Sequence, residues 1–474
     1  MNKSIKINFI WNLLYQILVI IAPIITTPYV SRVLGPKNIG EYNYVYSIIS
    51  YFIMMTNLGI NSYGQREVAS HRNEDKLCKE LLLTIQSIKV IYFLLTSIVF
   101  SFFMILAENN ILFIICYINV IAFFFDITWY FQGLEEFSKS VLKNVIVKVG
   151  SILLIFICVK DSNDLNLYAL ILGGSVLLGN LFLWPYLKIN RNIKFSWNKL
   201  VFHFRYSLAF SWSAISNTIY VNINKTMLGF FCSDLQVGYY TQPEKVIKLI
   251  VTLMAALGTV LLPRITYYNS IHKNMQIFEL LKKAFNAVAL LAFPMAFGIF
   301  AISDNFIPLF LGIDYFPSID VMKILAPLPL FMGFSSITGT TLLVSLGKQK
   351  EYNISITIAM IINVAFSFIF IPRYGYIGAA GVTVLTELCV LSFQTFYGWI
   401  YIKESLDLMN LLKILLSSII MYVFTDTMLG RFNVEGFNMI TLITSSAFIY
   451  LILITILKES FSNEFLKRII SNRR

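Results

Sequence analysis

Long hydrophobic stretches alternate with short polar connections along almost the whole of this chain. Most stretches hold about 18 residues or more, the length that an α-helix needs to cross about 30 Å of hydrocarbon. The strands of a membrane β-barrel would instead be about 10 residues long and alternate in polarity. The pattern therefore predicts an all-α polytopic membrane protein. Its fourteen predicted spans are approximately residues 9–34, 42–64, 81–106, 111–132, 141–159, 166–187, 205–230, 237–262, 284–303, 319–346, 352–371, 377–401, 410–429 and 437–457.

A Leu-Gly pattern between the first two spans occurs again between the seventh and the eighth. The two copies occupy residues 34–42 and 228–240, and in both an arginine follows the second glycine by 26 residues. The equivalent residues are Gly40 and Arg66 in the first copy, and Gly238 and Arg264 in the second. Because the copies lie an even number of spans apart, they share a topology, as in the parallel repeats of transporters. The sequence therefore predicts two related lobes.

The composition supports a membrane location and excludes other classes. Of the 474 residues, 57% are hydrophobic and 13% are charged, whereas a soluble domain usually carries about 25% charged residues. The net charge of +12 does not indicate nucleic acid binding, because most Lys and Arg residues fall in alternate connections. This asymmetry is typical of cytoplasmic loops and predicts that both termini lie in the cytoplasm. The connections are too short to hold a soluble catalytic or ATP-binding domain.

Residue types that usually bind metals or cofactors form no recognisable pattern. The five cysteines are scattered, mostly within predicted spans, and the three histidines occupy short basic connections. We therefore expect neither disulfide bonds nor a metal site. The sequence also lacks a phosphate-binding loop and a dinucleotide-binding pattern, so we expect no cofactor.

Four short stretches lie in order at the ends of predicted spans. They are residues 31–42, 126–135, 342–348 and 372–381. Together they resemble the Wzx-type polysaccharide flippases, which belong to the multidrug, oligosaccharidyl-lipid and polysaccharide (MOP) exporter superfamily. The resemblance runs over nearly the whole chain.

The resemblance implies a MATE-like fold with two six-helix lobes around a central cavity and a further helix pair. On this plan the segments are an N-terminal lobe (1–190), a cytoplasmic linker (191–204), a C-terminal lobe (205–404), and an additional helix pair with a basic tail (405–474). It also implies the transfer of oligosaccharide repeat units on undecaprenyl pyrophosphate across the bacterial inner membrane, for O-antigen, capsule or exopolysaccharide synthesis. The expected partners are this substrate and membrane lipids, with H⁺ or Na⁺ as candidate coupling ions and a polysaccharide polymerase as a candidate partner.

Charged residues within predicted spans are candidates for a substrate cavity, because each costs about 2.5–3.5 kcal/mol on insertion scales. Lysines outnumber carboxylates among them, which suits an anionic pyrophosphate better than a cationic drug. The candidates are Lys89, Asp126, Lys148, Lys225 with the nearby Asn222, Glu244, Lys245, Lys248 and Glu387. For four of these residues, a role other than lining a cavity stays open. Glu244 and Lys248 have the spacing of an ion pair within one helix. Lys148 and Lys245 lie near span ends, where lysines can reach headgroups.

Polar residues at helical spacing form a second group of candidates. Such faces need water or a polar substrate, so they predict a hydrophilic cavity. The candidates for its lining are Asn12 and Gln16 in span one, and Asn43, Asn57 and Asn61 in span two. The candidates for a gate or for headgroup binding are Arg32, Arg66 and Arg264.

These observations predict a flippase that works by alternating access and makes or breaks no covalent bond. One alternative is a multidrug or organic-cation antiporter of the same superfamily, which a carboxylate-rich cavity would favour, and another is a lipid II flippase. An enzyme that polymerises or transfers lipid-linked sugars is a third alternative. The longest outer loop, about residues 304–318, holds two aspartates but no evident partner base.

Overall fold

The computed structural model describes residues 3–107, 110–187, 196–431 and 437–457 of the chain. Within these ranges the regular structure is helical, with no strand, so the predicted all-α class is confirmed. The α-helices are α1 (Lys3–Thr56), α2 (Ile60–Ser70), α3 (Asp75–Leu106), α4 (Ile111–Cys116), α5 (Ile118–Phe124), α6 (Thr128–Gly133), α7 (Phe137–Cys158), α8 (Leu165–Leu181), α9 (Trp197–Ala209), α10 (Ser211–Phe231), α11 (Asp234–Ser270), α12 (Asn274–Phe310), α13 (Ser318–Leu325), α14 (Leu328–Ser336), α15 (Gln349–Ser405), α16 (Leu408–Arg431) and α17 (Phe437–Ile456).

The chain divides into two compact units, Met1–Gly238 and Tyr239–Arg474. The first unit holds α1 to α10 and the start of α11, and the second holds the remaining helices. The boundary between the units follows α10, whereas the predicted linker at 191–204 precedes it. Residues 191–195 of that linker lie outside the described part of the chain, and residues 197–204 belong to α9. The division into six-helix lobes with an additional helix pair therefore stays a prediction.

A glycine interrupts α1 between the first two predicted spans. Gly35 has φ 72° and ψ 170°, which are not helical angles, and Pro36 follows it. A positive φ favours glycine because it has no Cβ, and proline suits the first position of a new helix. At 54 residues, α1 would be about 80 Å long if it were straight, more than twice the hydrocarbon thickness. Residues 36–56 therefore form a separate second arm.

The number of spans depends on how such interrupted helices are counted. Within the described ranges, nine helices are long and apolar enough to cross a membrane, or up to ten if a bent pair counts as one span. The 57-residue α15 counts once among the nine, although Gly375 has non-helical angles between two of the predicted spans. The total of fourteen spans stays a prediction.

The second arm of α1 packs closely along α10. A Cβ at Gly229 would lie 2.0 Å from the ring of Tyr44, so only glycine fits there. Next to this contact, the Ser47 and Thr226 hydroxyl oxygens lie 2.8 Å apart, and the Tyr51 hydroxyl lies 3.1 Å from Thr226 Oγ1. Small residues that let backbones approach, with polar bonds beside them, are typical of helix pairs in membranes. These contacts fix the angular orientation of both helices.

Gly40 and Gly238, the second glycines of the two repeat copies, each lie against the segment that contains the other. A Cβ at Gly40 would lie 1.6 Å from the Asp234 carbonyl oxygen and 2.7 Å from the Gly238 nitrogen. A Cβ at Gly238 would lie 1.9 Å from the Pro36 carbonyl oxygen. Equivalent positions of the two copies therefore form one backbone contact, which no larger residue could occupy.

The second unit has its own core around α12. Met254, Phe285 and Ile337 are buried in it, and a Cβ at Gly333 would lie 3.0 Å from both the Met254 sulfur and Val288 Cγ1. α16 packs along α12, and α17 packs against α16. Each unit thus buries apolar residues independently.

Candidate substrate cavity

A cavity of about 520 Å³ lies inside the first unit. The second arm of α1 and helix α10 form its two long walls, and the start of α2 and one residue of α5 complete it. The lining residues are Asn43, Tyr46, Ser50, Ile53, Met54, Asn57, Gly59, Asn61, Ser62, Phe123, Ala214, Asn217, Thr218, Val221, Asn222 and Lys225. The volume is in the usual range for small-molecule sites.

Helical periodicity explains why these residues share one cavity. On both long walls the lining positions are separated by one, three or four residues, so each set forms one face of its helix. The contacts of Gly229 and Ser47 hold the two helices at a fixed rotation. Between α1 and α2, Gly59 has a φ of 68°, and this left-handed turn redirects the chain just before Asn61.

One lysine supplies the charge of this cavity. Among its lining residues in the described part of the chain, Lys225 alone carries a formal charge. It lies on α10 one helical turn after Asn222 and directly before Thr226, which holds α10 against α1. The described lining therefore combines one lysine with amides, hydroxyls and apolar side chains.

The asparagine side chains of the cavity have a common orientation. The Nδ2 groups of Asn43, Asn57 and Asn222 each donate to the carbonyl four residues earlier, at 2.7, 3.2 and 3.0 Å. An amide that donates one N–H in this way keeps a second N–H, and its carbonyl oxygen stays available as an acceptor. The Oδ1 atoms of Asn57 and Asn61 are buried and have no hydrogen-bond partner among the described residues. This part of the wall is therefore rich in acceptors.

The structure brings together five of the predicted site residues and adds others. The predicted residues that line the cavity are Asn43, Asn57, Asn61, Asn222 and Lys225. Sequence reasoning missed Tyr46, Phe123, Asn217 and Thr218. Asn217 and Thr218 precede Lys225 by eight and seven residues on the same helix, so extending the helical spacing towards the start of α10 would have found them. No comparable signal points to Phe123, because only the tertiary fold brings α5 to this place.

Lys89 and Asp126 lie together, but they do not line this cavity. Lys89 is fully buried, and its Nζ donates to the carbonyl oxygens of Phe123 and Asp126 at 2.9 and 2.8 Å. Asp126 Oδ1 accepts from the Thr128 backbone N–H at 2.9 Å and from its hydroxyl at 2.5 Å, at the start of α6. Both residues stabilise the break between α5 and α6 in the fourth predicted span.

Side chains from other helices bond to four successive carbonyls at this break. The Ala122 carbonyl accepts from the side chain of Asn180, and the Phe123 carbonyl accepts from Lys89. The Phe124 carbonyl accepts from Gln86 and the Phe125 carbonyl from Trp184, and all four distances are 2.6 to 2.9 Å. The end of a helix leaves its last carbonyls without their usual intrahelical partners, although the Phe123 oxygen also accepts from the Asp126 backbone N–H at 3.2 Å. At membrane depth each unsatisfied group would cost several kcal/mol. The network explains how this span can be broken inside the protein.

Lys143, near the start of the fifth predicted span, extends this network. Its side chain is 9% exposed, and Nζ donates to Asn180 Oδ1 at 2.8 Å and to Thr128 Oγ1 at 2.9 Å. Asp126 Oδ1 lies 4.0 Å from the same nitrogen. The two lysines thus bind the break from opposite helices, α3 and α7.

The other charged candidates lie away from this cavity. Lys148 is half-buried on α7. The candidates on α11 and α15, Glu244, Lys245, Lys248 and Glu387, belong to the second unit. There the Lys248 Nζ lies 2.6 Å from Glu244 Oε1, and the Tyr240 hydroxyl donates to the same oxygen at 3.2 Å. The local ion pair left open by the spacing is therefore present.

The remaining candidates are arginines and the polar residues of the first span. Arg32, Arg66 and Arg264 are exposed, and the Arg66 guanidinium lies 5.8 Å from the centre of the Phe210 ring. The side chains of Asn12 and Gln16 lie outside the described part of the molecule. No group of three or more potential metal ligands occurs within the described ranges.

Comparison with known proteins places the chain in a family. Residues 5–269 match the family described as "Polysaccharide biosynthesis protein". The chain belongs to this family. The resemblance based on four short stretches is thereby confirmed. A relative from Escherichia coli (strain K12), named "Putative O-antigen transporter", is 21% identical over 405 residues, which are 84% of this chain and 97% of the relative.

Solved structures show that this family member has a MOP-type fold. The inward closed conformation of the lipid II flippase MurJ matches with a TM-score of 0.74 at 16% identity, over 97% of this chain and 100% of MurJ. An inward-facing MATE multidrug resistance transporter of the MOP superfamily matches with a TM-score of 0.63 at 16% identity, over 82% of this chain and 94% of the transporter. The predicted MATE-like fold is confirmed.

Proposed function

We propose that this protein is a flippase that moves oligosaccharide repeat units, linked to undecaprenyl pyrophosphate, from the cytoplasmic to the outer leaflet. It acts by alternating access in the synthesis of O-antigen, capsule or exopolysaccharide. Its place is the bacterial inner membrane, with both termini in the cytoplasm. Membership of the polysaccharide biosynthesis protein family and the O-antigen transporter among its relatives support this function.

The polar cavity of the first unit is the observation that carries the proposal. A flippase must hide a charged, hydroxyl-rich headgroup from the hydrocarbon, whereas the lipid tail can remain in the bilayer. The cavity provides about 520 Å³ whose lining combines amides, hydroxyls and Lys225 with apolar side chains such as Ile53 and Val221. A lysine ammonium binds phosphate oxygens through charge-assisted hydrogen bonds. We assign Lys225 to the pyrophosphate.

The electrical potential of the membrane favours this direction of transport. Moving an anion outward across an inside-negative membrane is downhill by about 2.3 kcal/mol per charge per 100 mV. The potential can therefore assist export without a dedicated ion site. Coupling to H⁺ or Na⁺ and association with a polysaccharide polymerase stay predictions, as does the absence of a covalent step.

Two other transport functions share this fold. The likeness to MurJ and to a MATE transporter shows the fold alone, so it does not assign lipid II or a cationic drug to this chain. A carboxylate-rich cavity would favour organic cations, and the described lining of the first-unit cavity has no carboxylate. The single lysine and the family membership favour an anionic, lipid-linked glycan.

Replacing Lys225 with methionine is expected to lower repeat-unit transport by about 10- to 100-fold, the effect of losing a charged hydrogen bond of about 1.5–3 kcal/mol. Cells that lack the gene should accumulate repeat units on the cytoplasmic leaflet and lose surface polysaccharide. Immunoblots of surface polysaccharide and the sidedness of lipid-linked repeat units in membrane vesicles measure both effects. The wild type should restore transport, whereas Lys225→Met should not.

The matched control for this experiment is Lys76→Met. Lys76 is exposed on α3 and does not line the cavity, so this variant should restore transport fully. Normal surface polysaccharide in cells without the gene, together with greater sensitivity to cationic drugs, would overturn the flippase proposal and favour the multidrug alternative.

A further inference from the structure

The asparagines of the cavity provide a chemistry that the pyrophosphate does not use. Phosphate oxygens accept hydrogen bonds and therefore need donors, such as the ammonium of Lys225. The Nδ2 groups of Asn57 and Asn222 each donate one N–H, to Ile53 and Thr218, and keep a second. The Oδ1 atoms of Asn57 and Asn61 are acceptors with no hydrogen-bond partner among the described residues. The cavity thus has two chemically different parts. We call the acceptor-rich part, formed by Asn57, Asn61 and Asn222, the asparagine wall.

The acceptors of this wall are held in place by their own helices. Donation to the carbonyl four residues earlier fixes the amide of Asn57, in the turn directly after α1, and that of Asn222 on α10, so neither amide can reverse without losing that bond. The buried Oδ1 atoms of Asn57 and Asn61 have no hydrogen-bond partner within the described ranges. Buried acceptors are usually satisfied, so these two oxygens indicate a partner that brings its own donors.

We propose that the asparagine wall is a saccharide subsite whose carbonyl oxygens accept hydrogen bonds from sugar hydroxyl or amide N–H groups. This inference rests on the proposed flippase function, since it concerns the sugar part of the same substrate. Lys225 binds the pyrophosphate, and the wall selects a headgroup that carries hydrogen-bond donors. Tyr46 and Phe123 in the same lining add aromatic surface against which a sugar ring can lie.

The position of the wall supports a division between charge and sugar recognition. Asn61 lies at the start of α2, past Asn57, whereas Lys225 lies one turn beyond Asn222 towards the end of α10. An ionised pyrophosphate has no N–H or O–H to donate, so it could not satisfy the Oδ1 atoms of Asn57 and Asn61. The sugar is the donor-rich part of the proposed substrate.

The test is a binding measurement with purified protein in nanodiscs and three probes. The probes are undecaprenyl pyrophosphate without sugar, the same lipid carrying one N-acetylhexosamine, and a deoxyfluoro analogue of that glycolipid. Fluorine keeps nearly the size of a hydroxyl group but cannot donate a hydrogen bond. The wild type should bind the glycolipid about 3- to 10-fold more tightly than either other probe, the effect of one neutral hydrogen bond.

Variants separate the two parts of the site. Asn57→Leu and Asn61→Leu should remove the preference for the glycolipid and leave the affinity for the sugar-free lipid unchanged. Lys225→Met should weaken the binding of all three probes. The matched control is Asn144→Leu, because Asn144 lies half-buried on α7 outside the cavity. This variant should bind all three probes as tightly as the wild type does.

The outcomes distinguish the inference from the function on which it rests. If the wild type binds none of the lipids, the proposed function itself is wrong. If it binds the glycolipid and the sugar-free lipid equally, or if the preference survives in both leucine variants, the wall is not a saccharide subsite and the flippase proposal stands. If the fluorinated probe binds as tightly as the glycolipid, donation to the wall is excluded. Thermal unfolding of each variant identifies those that fail to fold.

Discussion

Replacing Lys89 with methionine is expected to destabilise the folded protein by about 1.5–3 kcal/mol for each of its two hydrogen bonds, the usual contribution of a hydrogen bond from a charged group. Methionine fills much of the same volume but cannot donate to the carbonyl oxygens of Phe123 and Asp126, which Lys89 bonds at 2.9 and 2.8 Å. Both oxygens would then be buried in the broken span without that donor. The expected result is a lower unfolding temperature in detergent and a lower yield of folded protein.

The same experiment separates this structural role from the substrate role predicted for Lys89 by the sequence. Lys76→Met, on the exposed part of the same helix, is the control and should keep the wild-type unfolding temperature. If Lys89→Met unfolds at the wild-type temperature but no longer transports, Lys89 binds substrate and the structural role is wrong. Residual transport per folded molecule is expected to stay above that of Lys225→Met, because Lys89 does not line the cavity.

Much of the fold follows from the sequence because a membrane imposes simple rules. Apolar stretches of sufficient length become helices, and the positive φ of Gly35 matches the break predicted between two long apolar stretches. The polar face of the second span was also predictable, since Asn43, Asn57 and Asn61 share the helical spacing of the observed lining. Periodicity shows which residues lie on one face, and the cost of exposing amides to lipid shows that the face is covered.

Periodicity does not show what lies opposite a charged residue. Lys89 was assigned to the cavity on the same grounds as Lys225, yet it binds a broken helix. The break itself contains no proline or glycine, and its only local signal is Asp126 two residues before Thr128, a usual arrangement at a helix start. Its other partners, such as Asn180, come from distant helices. Such long-range pairing leaves no spacing pattern in the sequence.

The repeat also has a consequence that its sequence pattern alone did not indicate. Gly40 and Gly238 were recognised as equivalent positions, but the structure shows that their backbones lie against each other. Their Cα–H groups face carbonyl oxygens, an arrangement that gives weak hydrogen bonds between closely packed helices. We predict that this contact acts as a gate between the two segments.

Replacing Gly40 with alanine is expected to prevent this contact and to reduce transport to near the level of cells without the gene. The added Cβ would lie 1.6 Å from the Asp234 carbonyl oxygen, a backbone atom that cannot move aside alone, so the two segments must separate. Val237, which is fully buried beside the contact, should then become accessible. In a cysteine-free background, a Val237→Cys reporter should react with a membrane-impermeant maleimide several-fold faster when Gly40→Ala is present.

Gly174→Ala is the control for this prediction, because a Cβ at Gly174 would meet no atom within 4 Å and both glycines lie in the first unit. It should leave transport and reporter labelling unchanged. Gly238→Ala should reproduce the effect of Gly40→Ala, since its Cβ would lie 1.9 Å from the Pro36 carbonyl oxygen. Loss of transport without faster labelling would show that the contact serves stability rather than gating. Two backbones this close have no room for a methyl group, so either alanine must separate them. Normal transport in both alanine variants would therefore show that transport does not need the contact between Gly40 and Gly238.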